Sequence, residues 1–374
     1  MSDRSCPLRK VRWQNIDNLR SAKRCPAMNP GDHEPNSATP ASGASDDQTP
    51  AKQPKRHRPK GFRRDPFRDN ANRRGLQLTK TPDYLLIGHI CADLQPDGSV
   101  VLGGTALYSA LTAARLGARV AVLTRGVYGR EVVGMQVPNL DILTDEGIQV
   151  VAQDAEVPTT FINVYQADRR VQTLPYWAGE IDLRGLPPHW RNAKVVHLGP
   201  IADEVNPRQG AGITSEFLGV TPQGWMRDWP RQTGGKVSHI PLRLPGELMG
   251  RIDSAIVSIE EITYARDVIE RIGERRLGVV TQGPDGARII AGGHKFELPG
   301  FKVPAKDLTG AGDVFAAAFF MKASDRTVSA EKAGTFANAV AALSLADVGA
   351  QTVPLMKDVD ALLAQGEKVL RPMT

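Results

Sequence analysis

The chain has 374 residues, of which 41% are apolar and 24% charged, with a formal net charge of +6 and a pI near 9.2. That length admits two or three domains, although about 250 to 300 residues commonly make a single α/β domain. The charge is unevenly spread, +10 over residues 1–80 and −4 over the remainder. The basic pI is therefore a property of the first 80 residues and implies no polyanionic partner for the rest.

Residues 1–80 are rich in Pro, Ser, Asn, Asp and basic side chains and carry no periodic apolar positions. They cannot bury enough surface to offset chain entropy and are expected to form a disordered basic tail. Its Lys52 to Arg74 stretch has the charge to neutralise nucleic-acid phosphates. The blander readings, a solvated extension or a start codon assigned too early, are preferred, so no nucleic-acid partner is expected. Asp17, Asp32, Glu34, Asp46 and Asp47 are too frequent for an organelle transit peptide. No run approaches the roughly 18 apolar residues of a membrane span. Cys6, Cys25 and Cys91 form an odd set without ligand spacing, which suits a reducing cytoplasm.

From residue 81 the pattern changes to that of one folded domain, 81–374. Tyr84 to Ile90 is a short apolar run of strand length, followed by the turn Gln95-Pro-Asp-Gly98 and by Ser99 to Leu102. Ala106 to Leu116 has helical periodicity and stops at Gly117, and Arg119 to Thr124 returns as a strand. Small lid strands are expected near 97–104 and 149–174. Strand-like runs then recur at Ala193 to Leu198, Phe217 to Val220, Ser254 to Ser258 and Gly278 to Thr281, and two helices begin after Gly310 and after Ser329. Such alternation predicts an α/β fold with a mostly parallel central sheet covered by helices on both faces. Ligands should lie beyond the carboxyl ends of its strands, where Asp93, Glu261, Gly283 and Asp313 fall. The loop Thr221-Pro-Gln-Gly-Trp225 either lines that crevice or is anchored by its Trp.

Asp307-Leu-Thr-Gly-Ala-Gly-Asp313 runs into the apolar stretch Val314 to Phe320. Two glycines admit close approach of a ligand, and the Gly310, Ala311 and Gly312 amides at a helix start suit a phosphate. A carboxylate at that spot repels an anion unless it has a task, such as taking a proton from an attacking hydroxyl. A plain acidic helix cap is the alternative. No Walker-type phosphate loop occurs, so any triphosphate must be held by another device.

These residues resemble the C-terminal signature of the ribokinase-like, PfkB-type carbohydrate kinases. Asp83 to Leu94 resembles that family's first strand and substrate aspartate, Leu102-Gly-Gly-Thr105 its paired glycines, and Thr281-Gln-Gly-Pro-Asp-Gly286 its nucleotide-binding turn. The resemblance implies a three-layer fold with a small β lid and transfer of the ATP γ-phosphoryl group to a hydroxyl. It places Asp313 as general base, with the Gly310, Ala311 and Gly312 amides steadying the transferred charge. Asp93, Gly103 and Gly104 would hold a small polyol or sugar, and Thr281, Gly283, Gly286 and Asn338 the nucleotide. Glu261, in Ser258-Ile-Glu-Glu261, would act on Mg²⁺ through water, although the family has Asn where Ser258 stands. Asp307 and the Val348 to Ala350 loop occupy the position where some relatives bind a monovalent cation, so K⁺ is an open question, as is a homodimer. Tyr108 replaces the substrate-binding Asn of sugar-specific relatives. The resemblance therefore leans to inositol-kinase-like members, with a nucleoside kinase or a silent ligand sensor as alternatives.

Overall fold

The computed structural model describes residues 81–166, 169–301 and 303–364, so the expected tail, 1–80, lies outside the described residues. The strand Tyr84–Ile87 (β1) is wholly buried and sends alternate side chains to opposite sides. Tyr84 and Leu86 join one apolar cluster, Leu85 and Ile87 another. Burial on both faces is what makes such a strand read as a continuous apolar run.

After β1 come Cys91–Leu94 (β2), Val100–Gly103 (β3), the helix Thr105–Arg115 (α1) and Val120–Gly126 (β4). Gln149–Asp154 (β5), Thr160–Gln166 (β6) and Arg169–Tyr176 (β7) follow, then Val195–Leu198 (β8), Phe217–Val220 (β9) and Gly235–Lys236 (β10). The last part holds Ser254–Ser258 (β11), Ile262–Arg275 (α2), Leu277–Thr281 (β12), Ala287–Ala291 (β13) and His294–Leu298 (β14). Three helices close the described chain, Ala311–Ala323 (α3), Ala330–Ser344 (α4) and Met356–Ala364 (α5).

Nine strands form the main sheet in the order β14-β13-β12-β11-β9-β8-β1-β4-β5, parallel from β12 to β5 with two antiparallel strands at the other edge. A second, five-stranded sheet has the order β10-β7-β6-β2-β3. One expectation is corrected here. Of the strands expected in a lid, 100–103, 160–166 and 169–176 lie in this second sheet, but Gln149–Asp154 lies in register with Ala121 to Gly126 as the edge strand of the main sheet. Its residues are only partly buried, as befits an edge, and sequence texture alone does not tell the two sheets apart.

The helix α3 is apolar all round because it is buried all round. Val314 to Phe320 are buried without interruption, and Phe320 sits edge-on to His197 at 4.9 Å and against Phe217. This central helix therefore presents its first turn, with Asp313, at a fixed place. His197 bridges the Tyr84 hydroxyl at 2.9 Å and the Thr221 hydroxyl at 2.8 Å, and burial pushes its pKa down to about 3. Below pH 6.5 the unfolded chain takes up a proton that the native imidazole refuses. Stability should thus fall by about 1.4 kcal/mol per pH unit from this site as pH drops from 6.5 toward 3. Urea unfolding from pH 7 to 4 checks this, with the slope shallower in His197→Gln.

Candidate active site

Asp313 lies in the first turn of α3, and its Oδ1 accepts a hydrogen bond from the Thr105 hydroxyl at 2.6 Å. Thr105 is fully buried and opens α1 directly after the paired glycines. The Ser109 hydroxyl, one turn on, donates to the Asp313 carbonyl at 2.9 Å. Two helices 208 residues apart in sequence are thereby tied together at their N-terminal ends.

Gly310 caps α3 in the left-handed region, φ 79°, and a Cβ there would collide with the Tyr108 ring. Of the three amides assigned to the phosphate, that of Ala311 donates back to the Leu308 carbonyl at 3.3 Å. Gly312 is exposed, with open space where a Cβ would stand. The loop is thus closed on its Tyr108 side and open at Gly312, where a ligand would approach.

Asp93 is on β2, and Cys91 Sγ lies 3.4 Å from its Oδ1. Gly103 faces it across the β2–β3 hairpin so closely that an added Cβ would stand 2.5 Å from Asp93 Oδ2. Gly104, φ 92°, starts α1. The ring of Tyr108 is the centre of the cluster. Burial first, then the charges of Asp307, Asp313 and Asp93, pushes its phenol well above the usual tyrosine range. Asp93, Gly103, Gly104, Asp307, Gly310 and Asp313 therefore gather around the Tyr108 side chain. Tyr108 is itself buried, packed under Gly310 as a wall of the turn.

A second group surrounds the Gly283–Asp285 turn. Thr281 ends β12, Gln282 N–H reaches the Gly286 carbonyl at 2.7 Å, and Gly283 and Gly286 adopt φ of 59° and 94°. Nothing stands within 4 Å of a Cβ built on Gly283, whereas Gly286 is wedged against Leu298, Pro299 and Gly300. Asn338 on α4 is buried and donates from Nδ2 to the Pro299 carbonyl at 3.1 Å, so it braces the segment behind this turn.

Ser258 and Thr281 are register partners at the carboxyl ends of β11 and β12. Glu261 Oε2 accepts from the Ser258 amide at 2.9 Å, and the Ser258 hydroxyl accepts from the Glu261 amide at 3.3 Å. This reciprocal pair closes the 258–261 turn that leads into α2, in the pattern of a capping box, and accounts for Ser-x-x-Glu locally. Asp307 Oδ1 accepts from the Thr309 amide at 2.9 Å and Oδ2 from the Gly349 amide at 3.2 Å. The two segments matched to a cation site are thus adjacent, joined by amide hydrogen bonds. Among the described residues no group of three or more His, Cys, Asp or Glu could hold a metal ion, and no helix is long and apolar enough to cross a membrane.

Sequence reasoning missed Thr105, Gln223 and Arg227 as site residues. Gln223 Nε2 donates to Thr105 Oγ1 at 2.8 Å, and Arg227 Nη2 donates to Gln223 Oε1 at 2.8 Å. Of the two readings of the 221–225 loop, the structure shows the anchor, Trp225 Nε1 donating to the Val205 carbonyl at 2.7 Å, and it brings Gln223 to Thr105. Only the tight Gly-Trp pairing hinted at a fixed loop.

The profile of the pfkB family carbohydrate kinases matches residues 252–357, which include the Gly283–Asp285 turn, Asp313 and Asn338. An ATP-dependent ribose-1-phosphate kinase from Halopiger xanaduensis is 34% identical over 193 residues, 50% of this chain and 58% of its own length. Ribokinase from Bacillus subtilis is 40% identical over 86 residues, 23% of this chain and 29% of its own. The chain thus spans little more than half, or less, of the curated relatives it matches. Two solved pyrophosphate-dependent kinases of the ribokinase family extend the likeness over 74% of this chain and 99% of theirs. A sulfate complex gives 23% identity and TM-score 0.61, and a complex with a pyrophosphate analog and myo-inositol 22% and 0.58. Residues 252–357 thus match the pfkB family, and the fold is shared with solved ribokinase-family structures. The structural likeness, over 74% of the chain, extends well beyond residues 252–357.

Proposed function

We propose that this protein transfers the γ-phosphoryl group of ATP to a hydroxyl of a small polyol or sugar, with Asp313 as general base. The observation that carries the reading is the Asp313 carboxylate at the N-terminal turn of α3, held by Thr105 at 2.6 Å on the same Tyr108 wall as Asp93. Phosphoryl transfer asks mainly for positioning and charge neutralisation. The helix start supplies N–H donors that need no reorganisation, and Asp93 offers acceptors for hydroxyl groups. Asp313 takes the proton as the attacking hydroxyl acidifies. The Gly283 turn, open toward solvent, takes the nucleotide phosphates, and Asn338 supports it from behind.

Mg²⁺ supplied with the nucleotide would neutralise phosphate charge. With one oxygen of Glu261 committed to the Ser258 amide, the fit is to a hydrated ion carried on the phosphates, Glu261 reaching it through water. Tyr108 is buried, which counts against its serving as the base clamp of a nucleoside kinase. An inositol, a pentose or a sugar phosphate is the acceptor class to test first.

The deciding assay measures ADP release from Mg-ATP, and phosphate release from Mg-pyrophosphate, against inositols, pentoses, hexoses, ribose 1-phosphate and nucleosides. Turnover with ATP and one polyol or sugar, absent in Asp313→Asn, is the expected result. Nucleotide binding without turnover on any acceptor would leave a ligand sensor in its place, and turnover with pyrophosphate alone would overturn the donor.

A further inference from the structure

A continuous line of hydrogen bonds runs behind Asp313 and ends on a buried carboxylate. Glu204, fully buried, accepts from the amides of His89 at 2.8 Å, Ile201 at 3.0 Å and Ala202 at 2.7 Å. The Ile201 carbonyl held in this way accepts from Arg227 Nη1 at 2.7 Å. Arg227 Nη2 donates to Gln223 Oε1, Gln223 Nε2 to Thr105 Oγ1, and Thr105 to Asp313 Oδ1. Arg227 is 8% exposed and its guanidinium lies 5.4 Å from the Phe161 ring centroid.

We infer that Arg227 and Gln223 are positioning residues that fix the direction of the Thr105 hydroxyl proton and thereby keep Asp313 ionised. The inference rests on the proposed role of Asp313 as the base. A guanidinium has donors and no acceptor, so the Gln223 amide must turn its oxygen toward Arg227 and its NH₂ toward Thr105. Thr105 Oγ1 then receives one hydrogen, and its own single proton points at Asp313. With the amide reversed, the hydroxyl would donate to Gln223 and the base would lose this donor.

The base needs such support because of what faces it. Asp93 and Asp307 share the Tyr108 wall with Asp313, and Cys91 lies beside Asp93. The Tyr84 phenol below is itself pushed up, by burial first and then by the Asp313 charge. Like charges favour a protonated carboxyl, whereas a hydrogen bond donated to the ionised form opposes this. The relay carries the donors of one buried arginine to Asp313 as a directed hydroxyl proton.

Gln223→Glu tests it. The substituted carboxylate keeps the shape and the Arg227 partner but accepts from Thr105, turning the hydroxyl away from Asp313. Two readouts apply, the acid limb of kcat/KM against pH and the ¹³C titration of the Asp313 carboxyl in the unliganded protein. Both are expected to move up by about one pH unit. Added negative charge alone would also raise them, so Thr105→Val and the double variant complete a cycle. If the relay operates, Thr105→Val raises the titration by itself, and Gln223→Glu adds less in that background than in the native one. Thr105→Ser, which keeps the hydroxyl, titrates as the native chain does.

Strictly additive shifts, or an unmoved titration in Thr105→Val, would overturn the inference. Because the carboxyl titration is read without substrate, the two readings fail separately. Turnover that Asp313→Asn abolishes, with unmoved titrations, keeps the kinase and rejects the relay. Shifted titrations in a chain that turns nothing over keep the relay and reject the kinase.

Discussion

Replacing Asp313 by Asn is expected to lower kcat by about 10²- to 10⁴-fold, the range for loss of a positioned general base. The fold should survive. Asn has nearly the shape of Asp, and its carbonyl oxygen can still accept the Thr105 hydroxyl that reaches Asp313 Oδ1 at 2.6 Å. Binding of nucleotide, followed by calorimetry, should therefore change far less than turnover, since the Gly283 turn and the Gly312 end of the loop are untouched. A variant that turns over within about threefold of the native rate would remove Asp313 from the mechanism. A variant that loses nucleotide binding as fully as turnover would show that the carboxylate serves the architecture of the loop rather than the reaction.

Gly310→Ala should be the most damaging single-methyl change in the loop. Gly310 has φ 79°, which costs an L-residue about 1–2 kcal/mol, and the added Cβ would run into the Tyr108 ring. The ring cannot yield cheaply, because Tyr108 is buried in the cluster that packs α1 against α3. The turn must shift instead, carrying Ala311 to Asp313 with it. A displacement near 1 Å at reacting groups costs on the order of 10²-fold in rate. Expected are a lower Tm and a kcat reduced about 10²-fold. Gly312→Ala is the contrasting case. Its Cβ meets nothing within 4 Å, so Tm should hold while the KM for nucleotide rises. Wild-type Tm and kcat in Gly310→Ala would disprove the rigid-turn account.

Much of the main sheet is legible in the sequence because its strands are short, apolar and punctuated. The runs at Tyr84, Val195, Phe217, Ser254 and Leu277 are near-continuous apolar stretches, as burial on both faces requires. Gln149–Asp154 belongs to the main sheet and not to the second sheet, and its sequence conceals this for the converse reason. Pairing with β4 rather than with β6 is a choice between distant partners, and a partly buried edge strand carries no mark of it. Glu261 reads toward a metal in sequence, whereas its nearest explanation is local, a carboxylate returned to the amide three residues before it.

The sequence by itself determined the α/β alternation, the Asp307 to Asp313 turn ahead of an apolar helix, and the placing of Gly283 and Asp313 at strand and helix ends, whereas Asp93 lies within a strand of the second sheet. Each of these is written in neighbouring residues, through periodicity, glycine freedom and helix polarity. Only the tertiary structure decided that Tyr108 is the wall of that turn and that Thr105, Gln223 and Arg227 stand behind Asp313. Thr105 meets Asp313 across 208 residues, and Gln223 meets Thr105 across 118. Hydrogen bonds of that span depend on how two helices and a loop are brought side by side by packing, and no local pattern encodes which buried polar groups will satisfy one another.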